Sequence, residues 1–491
     1  MIKTSLAEFD KMAKNMPLVP VAAEILGDLD TPVTTFLKTS KGPYRFLLES
    51  VESETQRGRY SIVGDTPFLI FKSKGRTITI RNRIANSSTT IEDNPLNVLQ
   101  NIIRKYAVQR HSDIPFYSNG FFGYLGYDAV RHIEQLPDIA QDDTELPDIH
   151  MFIPQRIIVF DNLLHKITIL LFSRPTGNIV QSYDKTKQRL QKIVDIIRKQ
   201  PAQAGNEEYE ASARHVQSNL SRQEYEGMVL QAKKHIKRGD NFQIVLSQRL
   251  SVETDVPAFQ IYRGLRVVNP SPYMFFMNLE GLEILGSSPE TLVKLQGDEV
   301  FVKPIAGTRR RGQTAEEDEQ LAQELLDDPK ERAEHTMLVD LGRNDIGRIA
   351  KYGSVQVEEL MTIEKYSHVM HIVSTVKGTL AQEMDCVDVF KACFPAGTLT
   401  GAPKVKAMEI IERLEPTKRA IYGGAVGYMT FSNEMDVCIA IRTIYKKDGV
   451  VYLQAGAGIV ADSIPEHEYI ETMNKANGLL KAVDYAEGGL A

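Results

Sequence analysis

The chain has 491 residues, 42% hydrophobic and 25% charged, as in a globular protein with room for two or three domains or one large two-layer body. A net charge of −6 with no long basic run argues against nucleic acid or an anionic membrane surface as the main partner. Cys386, Cys393 and Cys438 show neither metal-ligand spacing nor a disulfide framework, no apolar run approaches the ~18 residues of a membrane span, and Glu8 and Asp10 stand where a signal peptide would be apolar. A reducing cytoplasm fits these features.

In chain order, the alternating segments Phe68-Leu69-Ile70-Phe71 and Ile157-Ile158-Val159-Phe160 predict strands, and helices are predicted around 94–107 and 180–199. Residues 199–220 read as a linker: Lys199-Gln200-Pro201-Ala202-Gln203-Ala204-Gly205-Asn206 is polar and aperiodic. This separates an N-terminal region, 1–205, from a second region, 220–485. Ser221-Arg222-Gln223-Glu224 is a capping box opening a helix to about Arg238. A strand at Asn241–Ser247 follows, with others at 273–279, 282–287, 299–305, 423–431, 436–445 and 450–460. Turns rather than helices join several of them, so the pairing is antiparallel. The expected class is α+β, with large antiparallel β-sheets and helices packed outside.

The densest chemical signal runs from Val302 to Glu334. A strand is expected to end in a turn at Gly307-Thr308, and a helix to begin with Asp328 as N-cap and Pro329 in the first position. Glu331 and Glu334 then project from one face, continued by Leu338 and Leu341. Carboxylates facing inward with leucines need a counter-charge, for which a divalent cation is suited. The device recurs after Asp462: Ser463 and Glu466 have capping-box spacing, Glu468 and Glu471 are three apart, and Lys475 follows one turn on. One such pair is ordinarily a solvated helix face; two capped pairs near Gly-rich strand ends could serve one Mg2+.

Other segments carry weaker signals. In Asp436–Thr443, Val437, Ile439 and Ile441 form a bulky face and Cys438, Ala440 and Arg442 a smaller one, which fits a cavity ending in a carboxylate-binding arginine as well as it fits an edge strand. Gly456-Ala457-Gly458 lets a ligand approach the backbone, or marks a bulge. Pro395–Lys404 lacks the spacing of a nucleotide-phosphate loop but sets polar groups and a helix N-terminus before an anion. His371 alternates with apolar residues as a core histidine does, and Glu290 in Gly286-Ser287-Ser288-Pro289-Glu290 is by itself an ordinary strand-end carboxylate.

Taken together, these strings closely resemble the chorismate-utilising enzymes, and within them the large subunits of anthranilate synthases. The resemblance rests on Gly286–Glu290, Pro304-Ile305-Ala306-Gly307-Thr308-Arg309, Ala333-Glu334-His335 leading to Asp340-Leu341-Gly342-Arg343-Asn344-Asp345, His368-Val369-Met370-His371, Gly397–Lys404, Gly456–Gly458 and Glu468-Tyr469-Ile470-Glu471-Thr472. It is dense over about 220–480 and thin before. It implies Mg2+ on Glu334 and Glu471, with Glu331 and Glu468 close by, holding the ring carboxylate of chorismate. Arg442, Tyr422 and the Gly456, Ala457 and Gly458 backbone would hold the enolpyruvyl side, Gly307 and Thr308 would line the pocket, and Lys475 would reach a carboxylate. Glu290 would be general acid on the departing C4 hydroxyl, Thr398 would lie near the enolpyruvyl side as a further catalytic residue, and His371 would assist the later loss of pyruvate.

Two positions separate members of such a family. Aminodeoxychorismate synthases often carry a nucleophilic lysine where this chain has Ala306, and isochorismate and salicylate synthases a water-activating lysine where it has Gln243. An amide is no general base, so ammonia is the better nucleophile here. Leu47-Leu48-Glu49-Ser50 and Asn269-Pro270-Ser271-Pro272-Tyr273-Met274 resemble two halves of a tryptophan feedback site, with Glu49, Ser50, Pro272, Tyr273 and Met274 as effector-binding residues. None of the cysteines lies in a Gly-x-Cys-x-Gly nucleophile turn. The resemblance therefore implies a separate glutamine amidotransferase subunit supplying ammonia, in a two-plus-two assembly, and the first step of tryptophan biosynthesis. The alternatives are another chorismate enzyme, chiefly an aminodeoxychorismate synthase lacking the lysine, and a catalytically dead tryptophan sensor, which would be missing a metal carboxylate.

Overall fold

A computed structural model describes residues 2–50, 59–108, 115–116, 118–175, 177–199, 201, 209, 215–366 and 369–490. The architecture is α+β, and the ladders that build the site are antiparallel. Several strands are buried on both faces. On Tyr44–Ser50, Tyr44, Phe46 and Leu48 face one apolar core, where the Phe46 and Phe122 rings stack at 4.6 Å; Leu47 faces the other way. Its neighbour Tyr273–Leu279 repeats the pattern, with Phe275, Met277 and Leu279 inward and Met274 and Phe276 outward.

The outward residues meet the helices Leu6–Ala13, Ile179–Lys199, Ala258–Val268 and Pro465–Glu487 through Phe9, Leu190, Ile261 and Leu479. Each large side chain so enclosed contributes roughly 1.5–3 kcal/mol, which fixes strand register against slippage. Strands on either side of residues 205–220 pair with each other: Tyr44–Ser50 with Tyr273–Leu279, and Gly120–Leu125 with Ala425–Thr430. The linker expectation itself falls largely outside the described residues.

Local chemistry sets most boundaries. Ser221 and Glu224 form the expected capping box, opening Arg222–Lys237. Asp328 accepts from the backbone N–H groups of Lys330 and Glu331 and opens Pro329–Gly347. Before Pro465–Glu487 no capping box forms: the Ser463 hydroxyl accepts from Val460 N–H at 3.0 Å, and Glu466 pairs with Arg222 at 2.6 Å. The strand expected at 299–305 breaks at Lys303-Pro304 into Glu299–Val302 and Ile305–Arg310, since proline cannot donate to the ladder. Phe242, expected on a strand face, precedes the strand Gln243–Glu253 and is 75% exposed.

Candidate active site

Glu290 follows the strand Leu282–Ser288 and is buried. Thr398, on the short helix Gly397–Thr400, donates its hydroxyl to Glu290 Oε1 at 2.9 Å. Burial pushes the Glu290 carboxyl up to about 8; the Thr398 hydrogen bond and the Arg442 charge pull the other way and are outweighed. Arg442 sits where the expected 436–445 strand divides into Met435–Ile439 and Thr443–Lys447. Its φ is +47°, a conformation costing about 1–3 kcal/mol in a non-glycine residue, so the surroundings hold it there for a reason. From this turn its charge acts on Glu290, His371 and Tyr366.

Gly307 and Thr308 form a bulge within Ile305–Arg310 rather than a terminal turn, shown by the register shift against Val369–Thr379 between Ala306 and Arg309. Gly307 has φ +65°, and a Cβ there would lie 2.9 Å from Leu325 Cδ1 and 3.1 Å from Glu331 Oε2, so a side chain would strain the backbone and push these groups aside. His371 Nδ1 lies 2.8 Å from the Gly307 carbonyl and 3.1 Å from Thr308 Oγ1. A carbonyl only accepts, so Nδ1 carries the proton and Nε2 the lone pair. Burial lowers the His371 pKa, keeping the ring neutral at pH 7. His368, which the sequence pairs with this motif, lies outside the described residues.

The helix carboxylates come to the same place. Glu331 meets Arg309 at 3.3 Å. Glu334 accepts from Gln243 Nε2 at 3.3 Å, and burial, with the like charges of Glu331 and Glu471, raises its pKa. Burial and Glu471 likewise raise Glu468. Lys475 pairs with Glu471 at 2.7 Å and donates to the Gly456 carbonyl at 3.0 Å. Among the described residues no three His, Cys, Asp or Glu side chains converge at metal-ligating spacing. An ion held by one or two carboxylates, substrate oxygens and water needs no such cluster, and Glu334 and Glu471 are hard oxygen donors whose like charges interact. The residues fit Mg2+.

On the strand Val450–Ile459, a Cβ at Gly456 would meet the Tyr422 hydroxyl at 2.7 Å and one at Gly458 the Gln243 Nε2 at 2.4 Å. The missing side chains admit Tyr422 and Gln243 against the backbone on either side of buried Ala457. Lys404, in the phosphate-loop-like segment, is taken by Asp345 at 2.8 Å.

The two candidate effector segments are hydrogen-bonded neighbours: Ser50 pairs with Tyr273 and Glu49 with Met274. With Pro272 they line a cavity of about 530 Å3. The Glu49 carboxylate is engaged by Arg266 at 2.8 Å and by the Tyr262 hydroxyl, and Met274 sends its side chain to the helix-side core.

Sequence reasoning missed a buried support beneath the pocket. Arg419 donates to the carbonyls of Leu399 at 2.6 Å and Val245 at 2.8 Å, pairs with Glu415 at 2.7 Å, and lies over the rings of Tyr127 and Tyr422. It thereby ties the Thr398 segment to Tyr422. The four-residue spacing of Glu415 and Arg419 was the only trace, and it spans Pro416 outside any helix.

The fold and this pocket define a class: the chorismate binding enzyme family model matches residues 52–481, and the chain belongs to that family. Within it, the chain is 46% identical to anthranilate synthase component 1 of Acetivibrio thermocellus and 43% identical to that of Aquifex aeolicus, each over 99% of both chains. The crystal structure of anthranilate synthase component I from Streptococcus pneumoniae superposes with a TM-score of 0.76 at 38% identity, covering 93% of this chain and 98% of that one. The menaquinone-specific isochorismate synthase of Escherichia coli shares the fold, with a TM-score of 0.71 at 20% identity over 97% and 98% of the two chains.

Proposed function

We propose that the chain converts chorismate and ammonia to anthranilate and pyruvate, as the synthase component of an anthranilate synthase, in the first step of tryptophan biosynthesis. The carrying observation is Glu290: a buried carboxyl held protonated up to about pH 8, hydrogen-bonded to Thr398, in a pocket where Gln243 offers an amide and no base.

In the first step ammonia adds at C2, both ring double bonds shift (C1=C2 to C1=C6 and C5=C6 to C4=C5) and the C4–O bond breaks. Glu290 gives its proton to the departing oxygen, which leaves as water. In the second step the Nε2 lone pair of His371 takes the proton from C2, the bond between C3 and the enolpyruvyl oxygen breaks, and the ring becomes aromatic. The released fragment takes up a proton to become pyruvate. Arg442, Tyr422 and the Gly456–Gly458 backbone hold the enolpyruvyl carboxylate, while Gly307 and Thr308 line the pocket. Glu334 and Glu471, with Glu331 and Glu468 nearby, would hold Mg2+, which when bound would supply positive charge for the ring carboxylate.

The ammonia comes from a partner glutamine amidotransferase subunit, since Cys386, Cys393 and Cys438 are all buried and burial raises each thiol pKa. Support for a partner is the name component 1 carried by the relatives. Tryptophan in the cavity beside Ser50 is the feedback inhibitor. Among the described residues no helix is long and apolar enough to cross a membrane.

Anthranilate fluorescence from chorismate, Mg2+ and ammonium at alkaline pH tests this reading, with no product expected when glutamine replaces ammonium. Glutamine-dependent product from the rigorously purified chain alone would remove the partner, and another aromatic or isochorismate product would remove the assignment.

A further inference from the structure

The mechanism leaves a polar chain unused at the wall between the large cavity and the catalytic residues. Lys303 and Thr291 line both the 530 Å3 cavity and the small pocket of about 50 Å3 beside Glu290 and Thr398. The Lys303 ammonium meets Glu364 Oε1 at 2.6 Å, and the Tyr366 hydroxyl donates to Glu364 Oε2 at 2.9 Å. Both Glu364 and Tyr366 line the cavity. Glu364 pairs with His371 across the ladder between Gln356–Lys365 and Val369–Thr379. The Tyr366 ring stands edge-on to the His371 imidazole, centroids 5.6 Å apart. Its backbone is fixed as well: its N–H donates to the Val369 carbonyl at 2.8 Å, and its carbonyl accepts from Arg311 at 2.6 Å.

Lys303 and Glu364 are nearly enclosed, with side chains 16% and 8% exposed. A solvated surface pair would be worth little, whereas an enclosed one persists only with its hydrogen bonds complete, so its geometry is fixed. The Gly307 carbonyl and Thr308 hold the His371 ring at Nδ1. The Tyr366 ring packs against the imidazole at a steep angle and so supports its tilt.

We propose that Tyr366, held by Glu364 and Lys303, is a positioning residue that aims His371 Nε2 at the second step, and that a ligand filling the cavity disturbs that step by displacing Tyr366. The inference rests on the reading of His371 as the group acting in pyruvate loss. Because the first step does not use His371, mispositioning it slows the second step selectively.

The test follows chorismate consumed and anthranilate formed, with ammonium and Mg2+, for wild type, Tyr366→Leu, Tyr366→Phe and Glu364→Gln. Tyr366→Leu should lower kcat about 10-fold or more with KM for chorismate within about twofold. It should also form less than one anthranilate per chorismate consumed, the balance leaving as a non-aromatic amino intermediate. Tyr366→Phe keeps the ring edge and should restore most of that ratio. Glu364→Gln, which keeps the fold-defining backbone ladder, should lower the ratio less than Leu does. A one-to-one ratio in both Tyr366→Leu and Glu364→Gln, or a rise in KM alone, overturns the proposal. A His371→Ala variant that retains the one-to-one ratio overturns the underlying reading of His371 instead. In Tyr366→Leu, tryptophan that still binds by calorimetry should inhibit at least about fivefold less than in wild type; undiminished inhibition removes the cavity half of the proposal.

Discussion

Two sets of candidate site carboxylates differ in their neighbours. Glu290 is single and buried, with one neutral hydrogen-bond donor and an arginine too weakly coupled to ionise it, so it keeps its proton up to about pH 8. Glu331, Glu334, Glu468 and Glu471 are half-exposed or exposed helix residues whose charges act on one another and on Lys475. Burial raises Glu290, Glu334 and Glu468 alike; what separates them is that Glu290 stands without a neighbouring carboxylate, whereas the helix carboxylates share like charges that a cation would offset.

The sharpest way to break the contrast is to remove each member in turn. Glu290→Gln keeps the shape and the hydrogen bond to Thr398 but has no proton to lose; turnover should fall about 10²- to 10⁴-fold with chorismate binding retained. Near-normal turnover in steady-state assays would move the acid elsewhere. Glu334→Gln should cost about 3 kcal/mol of transition-state stabilisation, roughly 100-fold in kcat/KM, and weaken the Mg2+ requirement. Wild-type activity with wild-type Mg2+ dependence would sink that assignment.

The third prediction uses pH. At fixed free ammonia, kcat/KM should fall as pH rises through about 8, because the free enzyme must hold the Glu290 proton. The same shift has a stability sign. The folded pKa lies above the ordinary carboxyl value of 4.5, so between 4.5 and about 8 the unfolded chain binds fewer protons than the folded one. Stability contributed by the protonated form is therefore full below 4.5 and lost as pH rises to about 8. Glu290→Gln should flatten that decline in denaturant titrations run across the window; an unchanged slope would mean that the carboxyl is not shifted.

The smallest expected effect lies farthest from the carboxylates. Ser50→Phe should fill part of the cavity, weaken tryptophan binding and leave ammonia-dependent turnover nearly intact. Chorismate should weaken wild-type tryptophan affinity roughly 5- to 150-fold, the reciprocal of a coupling of about 1–3 kcal/mol. Calorimetry with and without chorismate measures both, and unchanged affinity in the variant would take Ser50 out of the site.

Two helix starts were legible along the chain because their signals are local: Asp328 and Ser221 both cap as their spacing implied, whereas Ser463 and Glu466 do not. So was the antiparallel α+β class. The strand Gln356–Lys365 escaped because most of its residues are exposed or partly exposed, leaving no apolar alternation to read. Arg442 escaped in part because alternation assumes an extended backbone, whereas its φ is +47°. Glu331, Glu334, Glu468 and Glu471 could be named from helix spacing and Arg442 from alternation, whereas Glu290, His371 and Thr398 could be named only through motifs. Their convergence depends on a bulge at Gly307, glycine-sized gaps at Gly456 and Gly458, and the buried Arg419, and none of these has a period.

Calorimetric titration of chorismate into Glu290→Gln and Glu334→Gln, each with and without Mg2+, tests the central contrast most directly. The account predicts that Glu290→Gln binds chorismate in a Mg2+-dependent manner without turning it over, and that Glu334→Gln loses most of the Mg2+ dependence. Mg2+-dependent binding that survives in Glu334→Gln and disappears in Glu290→Gln would contradict it.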